Sequence, residues 1–278
     1  MSEPTSLLLS YPSVPGEEVW TSVVGQYPPI AKRIYAFTDP LTRAGMVFDQ
    51  PSPYDLPVNW AIVYGAAYCQ NYLIRAYKHR RDFLAVTAEM KASELSAANR
   101  THGSELIRYW EQSRRAIIAH GEIEELYFCL KLLVDRLATV FSFYFSLPLP
   151  KPDAFGSSHY RLVKMIENGH PALSPILKSL SSSLLPQMVV LKERVSQFRN
   201  TEIEHVKNPH TGMTPTVWWE DANDQNRVAA LISSDMDGAF RTTEDPTVLI
   251  DLVERYFGET LDFLTAHRNI SVLKSPRF

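Results

Sequence analysis

The segment Arg199-Asn200-Thr201-Glu202-Ile203-Glu204-His205 gathers a permanent cation, an amide, a carboxylate and an imidazole within two helical turns. The planar guanidinium of Arg199 suits phosphate oxygens and the charge that develops on phosphorus during transfer. His205 falls where a helix should end, close to Glu202. Both the negative dipole end and the carboxylate favour the protonated ring, which makes a general acid near neutral pH and a base once deprotonated. Attack by a ribose 2′-OH on its own phosphate needs only such groups and no metal. RNA carries that internal nucleophile and DNA does not. Asn200 would position one of the two reacting groups, with Glu202 orienting from the same face.

These residues ride on an amphipathic stripe of Leu184, Met188, Leu191, Val195, Phe198, Glu202 and His205, with steps alternating four and three. The last two members are polar where a dry face calls for apolar side chains, so they need a partner: each other, another subunit or a ligand. Pro209 and Gly212 stop the helix. The plain alternative is an i,i+3 ion pair between Arg199 and Glu202, with His205 capping the last carbonyls.

The elements that must hold this segment are helical. Asp55-Leu56-Pro57 reads as a helix start, followed by Trp60, Val63, Tyr64, Ala67, Tyr68 and Tyr72 at helical spacing. A second segment runs through Leu106, Ile107, Trp110, Ile117 and Ile118 and ends near His120-Gly121. The third carries Ile123, Leu126, Leu130, Leu133, Val134, Leu137, Phe141 and Tyr144 on one face, and Pro148 and Pro150 close it. Shorter helices are expected from Ser158 to Asn168 and from Ser174 to Leu180, and the motif helix starts after Ser181-Ser182-Ser183. Residues 208–245 break the pattern. They form an irregular insertion with room for a β-hairpin from Thr216–Trp219 and Val228–Ile232. Glu244-Asp245-Pro246 caps a last helix with the stripe Leu249, Leu252, Val253, Tyr256, Thr260, Phe263 and Leu264. The expected fold is an all-α antiparallel helical bundle. Residues 1–56, rich in proline, read as an extended arm with at most one short helix, and residues 57–278 as the helical domain.

Composition bounds the function. A net charge of -3 supplies no long-range attraction for nucleic acid, so any RNA contact rests on local basic patches. Lys78-His79-Arg80-Arg81 is one such cluster, read as a solvated helix face or an RNA-backbone contact. No run is long and apolar enough for a membrane span, and no leader is evident. With two cysteines, Cys69 and Cys129, read as buried small apolar residues, a reducing cytoplasm is the expected location. The eight histidines show no metal spacing, and no phosphate-binding glycine loop, nucleophile elbow or dinucleotide fingerprint is present. No metal or cofactor is expected. Asp135, in the otherwise apolar third helix, reads as the i,i+4 partner of Lys131 on the solvated face, or as a group orienting Arg199 or His205 from across the bundle. Trp218-Trp219 would pack over the bundle or serve stacking.

An Arg followed by Asn, then a His after a short gap, near the end of a helix in an all-α bundle, resembles the HEPN superfamily (higher eukaryotes and prokaryotes nucleotide-binding). Arg199, Asn200 and His205 fit its pattern of Arg, four to six residues, then His. The resemblance implies a metal-independent endoribonuclease, a homodimer that joins two motifs in one cleft, and a toxin or defence effector that an antitoxin protein could neutralise. RNA is the implied partner, with neither DNA nor membrane. The other reading is a non-catalytic helical module that binds nucleotide, RNA or protein.

Overall fold

A computed structural model of the chain describes residues 16–45, 58–97, 105–147, 158–197, 215–220, 227–233, 240–244 and 246–268. The described residues are mostly helical, in the order α1 (Glu17–Val24), α2 (Pro29–Gly45), α3 (Val58–Ala97), α4 (Glu105–Tyr144), α5 (Ser158–Glu167), α6 (Leu177–Ser183), α7 (Leu185–Leu191) and α8 (Pro246–Ala266). A short 3₁₀ turn, Pro171–Leu173, precedes α6, and a π-helical stretch, Lys192–Gln197, continues α7.

The frame is the pair α3 and α4, each of 40 residues and hence about 60 Å long. Their contacts run in opposite directions. Gly65 meets Val140, the Cys69 thiol reaches the Leu133 carbonyl, Arg75 faces Glu125, His79 faces Glu122, and Glu89 faces Arg115. The two helices are therefore antiparallel. The α4 stripe is buried at every expected position from Ile123 to Tyr144, none more than 2% exposed. The break expected at His120-Gly121 does not occur. Glycine costs a helix interior only about 1 kcal/mol, and the long interface with α3 outweighs that.

Glycine plays two different parts in this pair. A Cβ on Gly65 would run inside the van der Waals surface of the stiff, β-branched Val140, whereas a Cβ on Gly121 would meet nothing within 4 Å. Gly65→Ala is expected to cost about 1–3 kcal/mol by forcing the helices apart, and Gly121→Ala to add about 0.5–1 kcal/mol. Urea midpoints of the two variants, moving in opposite directions, check this.

The proline-rich stretch departs from the extended arm expected of it. Within residues 16–45 it forms two helices, and Trp20, Ile30, Ile34, Phe37 and Leu41 join the core. Pro29 occupies the first position of α2, where a missing N–H is no loss, whereas Pro40 lies within the helix. Gly25, with φ 82°, closes α1 by donating to the Thr21 carbonyl at 2.9 Å. Helix α8 lies against α2, α3 and α4. Phe263 stacks on Phe141 with ring centroids 5.9 Å apart, and Phe145 packs against both.

Three strands, β1 (Pro215–Glu220), β2 (Arg227–Ser233) and β3 (Phe240–Glu244), form an antiparallel sheet in the order β1-β2-β3. The third was not anticipated, because Phe240–Glu244 is short and polar; Glu244, expected in the cap of the last helix, ends this strand. Pro246 opens α8 as its first residue.

Candidate functional site

Arg199, Asn200, Glu202 and His205 lie outside the described residues, as do Phe198 and the helix stop at Pro209. The structure does describe the run that leads into them. Leu184, Met188, Leu191 and Val195 are each 1% exposed or less, so the stripe faces the core as far as it can be followed. Ser181–Ser183 end α6, and the helix that leads to the motif, α7, starts after them as expected, with Leu184 joining the two in helical backbone angles. The stripe then continues through the π-helical turns Lys192–Gln197, a geometry found disproportionately at functional positions.

That run packs against α4 and α5 beside a group of charged residues. Lys131 Nζ lies 2.7 Å from Asp135 Oδ2, the i,i+4 pair expected from spacing. It does not sit on a solvated face: Lys131 is only 7% exposed. Asp135 also accepts from the backbone N–H of His159 at 3.0 Å, satisfying one of the open donors in the first turn of α5. The His159 ring is fully buried, edge-on to Tyr256 at 6.0 Å, and neither ring nitrogen has a hydrogen-bond partner. Burial is the main cause that pushes its pKa down from 6.5 to about 4, with Asp135 opposing and Lys131 and Lys192 reinforcing. Tyr160, 45% exposed, carries Lys192 Nζ over its ring at 4.8 Å and Lys164 Nζ at 6.0 Å.

His159 makes stability depend on pH. Its folded-state pKa lies below the unfolded value, so the folded chain refuses a proton that the unfolded chain accepts between about pH 6.5 and 4. The contribution is complete above that window and is lost as pH falls through it, amounting to up to about 3 kcal/mol. His159→Leu is expected to flatten this part of the stability–pH curve. Parallel curves for wild type and variant between pH 7 and 4 would contradict it.

The basic cluster at residues 78–81 is not one solvated face. Lys78 and Arg81 both pair with Asp82, at 3.0 and 3.1 Å. His79 turns to α4, with Nδ1 2.7 Å from Glu122. Arg80 turns the other way, into a cavity of about 530 Å³ bordered by Arg33, Tyr77, Asp251, Glu254 and Arg255. There the Tyr77 hydroxyl donates to Glu254. Burial raises Glu254 above its ordinary value, partly offset by that hydrogen bond and reinforced by Asp251.

On the α4 side, ligand atoms of His79, Glu125 and Cys129 lie within 4.8 Å of one another, a set able to hold a metal ion. Sequence reasoning missed it because the set joins two helices; only the i,i+4 spacing of Glu125 and Cys129 hinted at it. Arg75, 3.9 Å from Glu125, competes for that carboxylate. Burial pushes the Cys129 thiol up to about 11, and Cys69 is raised further, consistent with both acting as buried apolar residues. Trp218 and Trp219 are paired with Ala229 and Val228 in the sheet register.

No helix among the described residues is long and apolar enough to cross a membrane. Comparison with protein-family models, curated proteins and solved structures returned no match.

Proposed function

We propose that the chain is a metal-independent endoribonuclease of HEPN type, with residues 208–245 inserted before its last helix. His205 is the general acid/base and Arg199 the clamp on the phosphate and its transition state. Asn200 positions one of them, and Glu202 orients from the same helix face. The 2′-OH of the substrate attacks the adjacent phosphorus, the 5′-oxygen leaves, and the product carries a 2′,3′-cyclic phosphate. A homodimer follows from the proton traffic: one motif offers one titrating imidazole, and in-line displacement is served best by two.

The observation that supports the reading is the buried stripe Leu184, Met188, Leu191 and Val195, which passes into π-helical turns just before the motif in sequence, with Lys131, Asp135 and Lys192 close to that run. Lys131 and Asp135 offset each other, and Lys192 beside them is a cation that a polyanion would meet. Tyr160, exposed and with Lys192 at its ring, supports the choice of RNA, while Lys164 is paired with Glu167 at 2.8 Å. A base stacks on such a ring while the Lys192 ammonium meets a phosphate, and unpaired RNA presents both.

The test is cleavage of a labelled mixed-sequence RNA in excess EDTA by wild type, Arg199→Ala and His205→Ala. The reading expects cleavage by wild type and its loss in both variants. Cleavage that survives both substitutions overturns the assignment of the site. No cleavage by folded wild-type dimer favours the non-catalytic binding module.

A further inference from the structure

We propose that the cavity walled by Arg33, Arg80 and Arg255 is a second site, which binds a small phosphorylated molecule. It lies between α2, α3 and α8, and its residues are distinct from those of the motif. Its volume, about 530 Å³, falls within the range typical of small-molecule sites, roughly 300–1,000 Å³.

Its polarity is unusual for a surface groove. Arg80 and Arg255 form no ion pair with any described residue, although two carboxylates, Asp251 and Glu254, border the same space. The Arg80 Nε is buried and has no acceptor. A buried guanidinium donor left open is costly, and an incoming anion removes that cost. Arg33 is held by Asp262 at 3.5 Å and lies so close to Gly258 that a Cβ there would collide with its guanidinium. A glycine on the buried face of α8 thus gives Arg33 its place.

The choice of phosphate rests on donor number. Three guanidinium groups offer more hydrogen bonds than the two oxygens of a carboxylate accept, and a phosphate monoester presents three terminal oxygens. The remaining walls describe the rest of the ligand. Pro28, Pro29 and Ile30 give it an apolar surface, while Asp251 and Glu254 accept hydrogen bonds from hydroxyl or amino groups. The Tyr77 hydroxyl fixes Glu254 in that role.

The experiment is calorimetric titration of the full chain with pyrophosphate, inorganic phosphate and succinate at constant ionic strength. Saturable binding of both phosphates is expected, with pyrophosphate at least about tenfold tighter than succinate. Loss of one charge-assisted contact corresponds to about 10–100-fold in affinity, so Arg80→Gln and Arg255→Gln should each weaken pyrophosphate by that factor. His205→Ala should leave its affinity unchanged, which separates this site from the motif. Thermal unfolding of each variant is read first. Should Arg80→Gln fail to fold, Arg255→Gln decides, because Arg255 is exposed. Absence of saturable binding, equal affinity in wild type and the arginine variants, succinate binding as tight as pyrophosphate, or loss of binding in His205→Ala overturns the proposal.

Discussion

His205→Ala is expected to slow metal-free RNA cleavage by about 10²–10⁴-fold, the range that positioned general acid–base catalysis contributes. In the proposed role Arg199 is the cation that meets developing charge, and about 10²–10³-fold is the loss expected of Arg199→Ala. The double variant should be little worse than the more damaged single one, because residues acting as one unit are strongly non-additive. Arg199→Lys keeps the charge but not the fork, so it should recover only part of the lost rate. Each comparison is made at matched folded concentration with EDTA present. The His205→Ala defect should appear in single-turnover rates as well as at steady state, which separates chemistry from product release.

The second large effect is on stability. Phe141 is 1% exposed, with its ring 4.9 Å from Phe145 and 5.9 Å from Phe263, so it ties the end of α4 to α8. Phe141→Ala leaves a cavity in a cluster whose members sit on long helices and cannot collapse freely into it. The expected loss is about 3–5 kcal/mol in urea titration, with a drop in Tm on the order of 10 °C. Phe141→Leu keeps most of the volume and should cost about half as much or less. A loss below about 1 kcal/mol for the alanine variant would show that α8 does not depend on this contact.

How much of this was readable in the sequence varies by element, for physical reasons. The α4 stripe from Ile123 to Tyr144 and the α8 stripe were legible because each buries one continuous face, and apolar periodicity reports just that. Helices α1 and α2 were not, since Pro28, Pro29 and Pro40 suggest irregular chain unless their places at or within helices are known. Gly121 misled in the same way. Local breaker signals amount to about a kilocalorie, and tertiary packing overrides them.

The charged groups divide similarly. The Lys131–Asp135 pair was legible from its i,i+4 spacing, but its burial was not, because burial depends on α5 and the π-helical run covering it. Arg80 and its cavity, and the group of His79, Glu125 and Cys129, are assembled from helices far apart in sequence. Neighbouring residues 78–81 in fact diverge, two toward Asp82, one to α4 and one into the cavity. No one-dimensional pattern encodes that divergence. The proposed motif rests on residue type and spacing alone, and Arg199, Asn200, Glu202 and His205 lie outside the described residues.

The central claim is that the substrate's own 2′-OH is the nucleophile and that no metal takes part. The most direct measurement uses paired oligonucleotides of one sequence, all-ribose and with a single 2′-deoxy substitution at the cleaved position, incubated with excess EDTA. The account predicts cleavage of the ribose strand to a 2′,3′-cyclic phosphate end, and loss of that cut in the substituted strand. Cutting of the 2′-deoxy position, or activity that disappears on chelation and returns with a divalent ion, would contradict it.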